Sequence, residues 1–329
     1  LAIVGVLAFV AMIVMIFLKV PVFLAMISTS VIGMLFIVKP AMLLTQFAQG
    51  PFSTAASYTF ALLPLFAFMG VLLDKTGIAE GTFTATQSWL GNFRGGLLST
   101  VVVANTIFGS CSGNPTAGCV VFSRMALPSL NKGGYDRSNA LACIATSASL
   151  SSLIPPSSCI LICCMLTDLS ITRGLMSGLG GGIVLTILLL ICIQVTAHMT
   201  KKIPKVEKVQ ISWKERFKSL RLLIPIVILF CIIIIGAYAG FFTATVGGAI
   251  GAACVSIYAL FIKRMKLKEF FSCAVESIVL NANMFALLLA GTMFGRLITL
   301  TRLPDALIRG IAALNAPVII IFTLIVLFY

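Results

Sequence analysis

Long apolar runs separated by short polar breaks dominate the chain. They predict spans near residues 1–18, 20–38 and 58–73, and again near 174–198, 222–240, 244–262, 273–300 and 311–329. Runs such as Gly182 to Val195 and Leu222 to Ile235 are continuous rather than alternating. Continuity predicts helices, because a helix satisfies its own backbone in hydrocarbon and crosses it in about 20 residues. A more polar, amphipathic stretch, 74–96, carries Asp74, Lys75, Glu80 and Arg94. Two further segments, 97–123 and 138–167, are apolar at their ends but broken in the middle. The polar turn Asn131-Lys132-Gly133-Gly134-Tyr135-Asp136-Arg137 separates them.

Composition sharpens this pattern. Of the 329 residues, 60% are hydrophobic and 10% charged, whereas a soluble domain is about half apolar and a quarter charged. Too little polar surface exists to cover a soluble core, so the chain is predicted to be an all-α polytopic membrane protein. The net charge of +14 is concentrated. Between Lys201 and Arg221 eight cations stand against two anions, and Lys263, Arg264, Lys266 and Lys268 against Glu269. Two spans separate these basic loops, so both lie on one face, which the positive-inside rule makes cytoplasmic. Membrane topology accounts for the charge without a nucleic-acid partner. The ten cysteines lie mostly in apolar runs, no Cys-x-x-Cys occurs, and the single histidine, His198, ends a span. These are read as small apolar residues, not metal ligands.

The chemistry is expected at the two breaks. The first is Gly109-Ser110-Cys111-Ser112-Gly113-Asn114-Pro115-Thr116. The second runs from Ser147 to Ser158 through Ser151-Ser152-Leu153-Ile154-Pro155-Pro156-Ser157. Adjacent prolines remove two amide donors and end a helix. Broken backbone at membrane depth is tolerated only where it is buried or binds something. Freed carbonyls and hydroxyls suit sodium, and half-helix N-termini suit an anion. Asn114, Thr116, Pro156 and Ser157 are accordingly candidate substrate-binding residues. The competing account is a pair of kinked helices packed through small residues. No carboxylate pair within the spans, Gly-x-Ser-x-Gly or Walker A sequence is present, so no enzyme activity and no ATP-driven transport by this chain alone is predicted. No cofactor is expected beyond a coupling ion. Arg296, inside an apolar run, and Arg124, beside the first break, are weighed as anion-binding or interfacial residues.

A weak internal repeat has an offset of 225: Phe68-Met69-Gly70 followed by Ile78-Ala79-Glu80 matches Met293-Phe294-Gly295 followed by Leu303-Pro304-Asp305. Paired repeats build many secondary transporters. The expected division is a first repeat over 1–198, with scaffold helices 1–73, connector 74–96, broken elements 97–167 and span 174–198. A basic cytoplasmic loop, 199–221, and the start of a second repeat, 222–329, follow. The counterparts of 97–167 would fall beyond Tyr329, and the last run is short for a span, so the sequence is expected to be C-terminally incomplete.

In order along the chain come Pro64-Leu65-Phe66, Met69-Gly70, Gly77-Ile78-Ala79-Glu80, Ser112-Gly113, Gly133-Gly134-Tyr135-Asp136, Leu153-Ile154-Pro155-Pro156-Ser157, Gly240-Phe241-Phe242-Thr243 and Leu303-Pro304. With these the chain resembles the large membrane subunit of the tripartite ATP-independent periplasmic (TRAP) transporters. The resemblance implies an inverted-repeat, elevator-type secondary transporter with re-entrant helical hairpins, a multi-pass protein of the bacterial inner membrane. It implies sodium-driven uptake of an organic acid anion delivered by an extracytoplasmic substrate-binding protein, with a small four-helix membrane subunit as partner. The family's sodium-holding oxygens map onto Gly109, Ser112, Ser151, Ile154 and Pro155. Ser112-Gly113-Asn114-Pro115 stands where the family usually has Ser-Gly-Ser-Ser. It also resembles the tips of dicarboxylate/sodium symporters that work without a binding protein, which is the alternative reading. A scaffold protein descended from a transporter is a third.

Overall fold

The computed structural model describes residues 2–56, 58–167, 169–199, 212–313 and 318–328. Among them every regular element is helical, in sixteen α-helices with a few short 3-10 turns and one π turn. They divide into two compact units, residues 1–57 with 282–329, and residues 58–281.

The first unit contains α1 (Ala2–Phe17), α2 (Val22–Leu35), α3 (Pro40–Ala55), the end of α14 (Leu267–Leu300), α15 (Leu303–Ala313) and α16 (Val318–Phe328). Its core gathers Ala8, Met34, Phe294 and Leu297, with Met12, Met26 and Phe47 packed around them. Close packing relies on small residues: a Cβ on Gly33 would stand 2.7 Å from Leu297 Cδ2. Arg296 donates from Nη1 to Gln46 Oε1 at 2.7 Å, so its partner is a neutral side chain of α3.

The second unit contains α4 (Leu62–Lys75), α5 (Ile78–Leu90), α6 (Gly96–Ser112), α7 (Pro115–Lys132), α8 (Arg137–Ser149), α9 (Ser158–Leu166), α10 (Ile171–Met199), α11 (Trp213–Ser219), α12 (Ile224–Tyr238), α13 (Ala244–Ile257) and the start of α14. Helix α13 lies on α4 and α12 through Gly248, which faces Leu62, and Gly251, which faces Met69 and Ile233. Glycine lets two backbones approach where hydrophobic driving force between helices is absent. Around the second break, Val102, Leu150 and Ile154 form a core with Leu179, Leu185 and Leu189.

Among the described residues three helices are long and apolar enough to cross a membrane: Ile171–Met199, Ala244–Ile262 and Leu267–Leu300. Two bent pairs raise the number to five, Leu62–Lys75 with Ile78–Leu90 at 65° and Trp213–Leu222 with Ile224–Tyr238 at 49°. The all-α polytopic membrane fold read from the sequence is therefore present. Several details differ. Helices α1 and α2 have 16 and 14 residues, short of about 20 for an upright crossing. Helix α3 was not expected, because Thr45, Gln46, Gln49, Gly50 and Pro51 blur its periodicity. Helix α14 starts six residues before the expected span, since Lys268 and Glu269 are tolerated in a first turn. Within the expected last span, residues 311–329, α15 ends and α16 begins, with 314–317 outside the described residues. Of the basic loop 199–221, residues 200–211 lie outside them too; Met199 ends α10, and 212–221 hold α11 and most of a following 3-10 turn. All ten cysteines are free; Cys159, Cys163 and Cys192 are exposed rather than buried.

Candidate functional site

The first break is narrower than its sequence. Residues Gly109 to Ser112 remain helical, and only Gly113 and Asn114 separate α6 from α7. Gly113 closes α6 in the left-handed region, φ 61°, with its amide donating to Gly109 O at 2.9 Å; this is the αL end that favours glycine. Asn114 then caps α7, its Oδ1 accepting from the Thr116 amide at 2.9 Å, and Pro115 takes the first helical position, where no amide is needed. Phe108 and Phe122 meet edge-on at 5.9 Å across the turn. The pair folds as a hairpin with its tip at Ser112-Gly113-Asn114-Pro115.

From the hairpin the chain returns through Gly133-Gly134-Tyr135-Asp136. Gly134 has φ 74°, and a Cβ on Gly133 would stand 3.0 Å from Leu97. Asp136 caps α8 by accepting from the Asn139 amide at 3.3 Å. Tyr135 is buried at this turn, and burial raises its phenol pKa against the lowering effect of a backbone hydrogen bond from Leu97. These roles explain the Gly-Gly-Tyr-Asp sequence in structural terms.

At the second break, α8 ends in a 3-10 turn, Leu150–Ser152. Leu153, Ile154 and a cis Pro155–Pro156 bond follow. Ser157 restarts the helix as cap of α9, accepting from the Ile160 amide at 3.3 Å and donating to Ser152 O at 2.5 Å. Ser151 donates to Ala148 O at 2.5 Å. Helix α10 seats against this irregular backbone with Gly174, Gly178 and Gly182, spaced by four, which face Cys164, Ile160 with Leu153 O, and Ile154.

The two breaks meet. The Ser158 amide donates to Gly113 O at 3.2 Å, and Gly113 abuts Pro156 O. A Cβ on Gly109 would lie 2.6 Å from Ser151 Cβ. On the other side, Gly70 of α4 faces the Ser112 backbone, where an added Cβ would stand 3.2 Å from Ser112 Cα. Of the expected residues, Gly109, Ser112, Ser151, Ile154, Pro155, Asn114, Pro156 and Ser157 are buried, and Thr116 is exposed. Contacts join Gly109 to Ser151 and Gly113 to Pro156 and Ser158.

Ser112 is fully buried, and its hydroxyl has no hydrogen-bond partner among the described residues. Buried hydroxyls are almost always paired, so this oxygen has unused capacity for a ligand. Around it lie the C-terminal end of α6 and the N-terminal ends of α7 and α9, which present carbonyls and amides. Among the described residues no group of three or more His, Cys, Asp or Glu could hold a metal ion. The donor set is neutral oxygen throughout, suited to an alkali cation rather than a transition metal.

One polar pair was not anticipated. Asn105, inside the apolar face of α6, donates from Nδ2 to Ser147 Oγ at 3.0 Å, and its Oδ1 is buried without a partner. Gly118 of α7 makes room, since a Cβ there would stand 2.6 Å from that Oδ1. A lone Asn between Val103-Ala104 and Thr106-Ile107 was the available signal, because polar residues in spans tend to bind something. Arg124 is exposed.

A family model described as "Tripartite ATP-independent periplasmic transporter, DctM component" matches residues 9–329. The C4-dicarboxylate TRAP transporter large permease protein of Pseudomonas aeruginosa is 26% identical over 265 residues, 80% of this chain and 61% of the relative. Its counterpart in Vibrio cholerae is 31% identical over 222 residues, 67% of this chain and 48% of the relative. The ectoine/5-hydroxyectoine TRAP transporter large permease protein of Ruegeria pomeroyi is 26% identical over 327 residues, 98% of this chain and 75% of the relative. The chain thus spans about half to three-fifths of the length of the two dicarboxylate permeases.

Proposed function

The chain belongs to the DctM-component family of tripartite ATP-independent periplasmic transporters, a family of membrane permeases rather than enzymes, and on that footing we propose that its two meeting breaks form a sodium-coupled transport site. Sodium sits among the hydroxyl of Ser112 and backbone oxygens of Gly109, Ser151, Ile154 and Pro155. An organic acid anion is taken up beside it, against the N-terminal ends of α7 and α9, with Asn114, Thr116, Pro156 and Ser157 as contacts. The amides and partial positive charge of those ends are the chemistry an anion needs. An imposed sodium gradient supplies the energy, and an elevator-type movement carries the site across the inner membrane. An extracytoplasmic binding protein delivers the substrate, and a small four-helix membrane subunit completes the permease.

The observation that carries this reading is the fully buried, unpartnered Ser112 hydroxyl where the two breaks touch. A kinked-helix account gives that oxygen nothing to do. The relatives' names cover C4-dicarboxylate, ectoine and sialic acid, so the substrate is proposed as a class only. The test is uptake of a panel of labelled organic acids by the permease reconstituted with its small subunit and binding protein. Uptake that requires both sodium and the binding protein supports the proposal. Uptake without the binding protein makes the protein a simple symporter, and uptake indifferent to sodium removes the ion site.

A further inference from the structure

A cavity lies away from the breaks, between α5, α6, α10 and the 3-10 turn ahead of α12, with a volume of about 430 Å³. Trp89, Leu90, Val103, Ile107, Leu190 and Leu223 give it apolar walls. One of its few polar groups is already used: Gln194 donates from Nε2 to Ser99 Oγ at 3.3 Å.

The rim is basic. Helix α11 packs on α5 through Phe217 against Trp89, 5.6 Å between rings, and through a 2.7 Å hydrogen bond between Ser88 and Ser219 hydroxyls. Trp89 Nε1 donates to Arg216 O at 3.3 Å, and the Arg216 guanidinium lies over the Trp213 ring at 5.2 Å. Lys214, Lys218 and Arg221 flank it. The single acid of α11, Glu215, is turned back onto the Ser212 amide at 3.2 Å. Nε of Arg216 is buried here with no partner among the described residues; Nε of Arg94, which follows the cavity-lining Phe93 in the sequence, is buried without a partner as well. Buried charged donors are rarely left unmade, because their desolvation is uncompensated.

An apolar slot beneath a rim of unpaired guanidinium donors is complementary to one kind of molecule, an amphiphile with a long hydrocarbon chain and an anionic head. We propose that this cavity binds an anionic phospholipid, its acyl chain between α5, α6 and α10 and its phosphate held by Arg216 and Arg94. Arginine suits this role because its fork matches phosphate oxygens. The site ties α11, in the basic segment, to the lipid beside it, and it stands whether or not the breaks bind sodium.

The two tryptophans of the chain are Trp89, which lines this cavity, and Trp213, whose ring is 6.5 Å from that of Trp89. Their fluorescence therefore reports the site directly. The full chain is reconstituted, without sodium or substrate, in phosphatidylcholine vesicles holding increasing fractions of dibromo-acyl phosphatidylglycerol or of dibromo-acyl phosphatidylcholine. Quenching by the brominated anionic lipid is expected at a mole fraction lower by about fivefold per arginine engaged. The preference should fall about fivefold in Arg216→Gln and again in Arg94→Gln, with unchanged helical circular dichroism. Inorganic phosphate at constant ionic strength should not relieve the quenching. Coincident curves for the two lipids in the wild-type chain overturn the proposal whether or not the variants fold. So does a preference that survives both substitutions, or relief by phosphate, which would make the rim a free-anion site. None of these readouts involves transport, so they leave the permease proposal untouched.

Discussion

Replacing Gly109 by alanine separates the proposed ion site from helix stability. The new methyl would stand 2.6 Å from Ser151 Cβ and 3.1 Å from Ser151 Cα. Carbon atoms pack best at roughly 3.5–4.0 Å, so the hairpin tip and the second break must part by about 1 Å. Alanine is favoured over glycine inside a helix by about 1 kcal/mol, and overpacking costs about 1–3 kcal/mol. The two nearly offset, and unfolding without sodium should change by no more than about 2 kcal/mol. The ion site has no such compensation, because a 1 Å displacement of binding groups can reduce their effect about a hundredfold. At a sodium concentration near 100 times the dissociation constant, bound sodium stabilises by about 2.7 kcal/mol; a hundredfold weaker site retains about 0.4 kcal/mol. The assay is thermal unfolding of the purified protein in sodium against potassium at equal ionic strength. Gly180→Ala is the control, since Gly180 has no atom within 4 Å of the added methyl. It should keep the full sodium shift. If Gly109→Ala keeps it as well, the contact between the breaks does not form the ion site.

Ser112→Ala should leave stability without sodium unchanged or raised by up to about 1 kcal/mol, since it removes an unpaired buried hydroxyl, while raising the sodium concentration for half-maximal uptake at least about tenfold. Loss of stability with normal sodium dependence would make the hydroxyl a packing group. Asn105→Ala breaks the 3.0 Å bond to Ser147 and empties a fully buried position; about 1–3 kcal/mol of destabilisation is expected by chemical unfolding. Gly251→Leu, aimed at Ile233 and Met69, should push α13 off α4 and α12. It should lower the yield of folded protein in detergent, by size-exclusion chromatography, while Gly310→Leu, with open space around it, should not.

Both breaks were legible in the sequence because Gly-Asn-Pro and Pro-Pro act locally: they set φ, withhold amides and cap the next helix wherever the rest of the chain goes. Their widths were not. Gly109 to Ser112 looks like loop in composition, yet stays helical because the left-handed Gly113 ends α6 one residue later. The meeting of Gly109 with Ser151 joins positions 42 residues apart, and no periodicity encodes a distance across two turns. Gly174, Gly178 and Gly182 recur at intervals of four, but that spacing alone does not say that α10 packs on broken backbone. Asn105 was passed over because one polar residue barely disturbs an apolar run. The repeat pairs Gly70 with Gly295, but their surroundings differ: Gly70 abuts Ser112, and Gly295 has open space about it. The residues that build the first unit, 1–57 with 282–329, come from opposite ends of the chain, a grouping that self-comparison does not express.

The central claim is that the meeting breaks bind sodium, and direct titration of the purified permease with sodium, potassium and lithium chloride tests it most simply. Saturable heat with sodium, much weaker with potassium and reduced at least about tenfold in affinity by Ser112→Ala, is the predicted result. Identical isotherms for sodium and potassium, or a sodium isotherm that Ser112→Ala leaves unchanged, would contradict it.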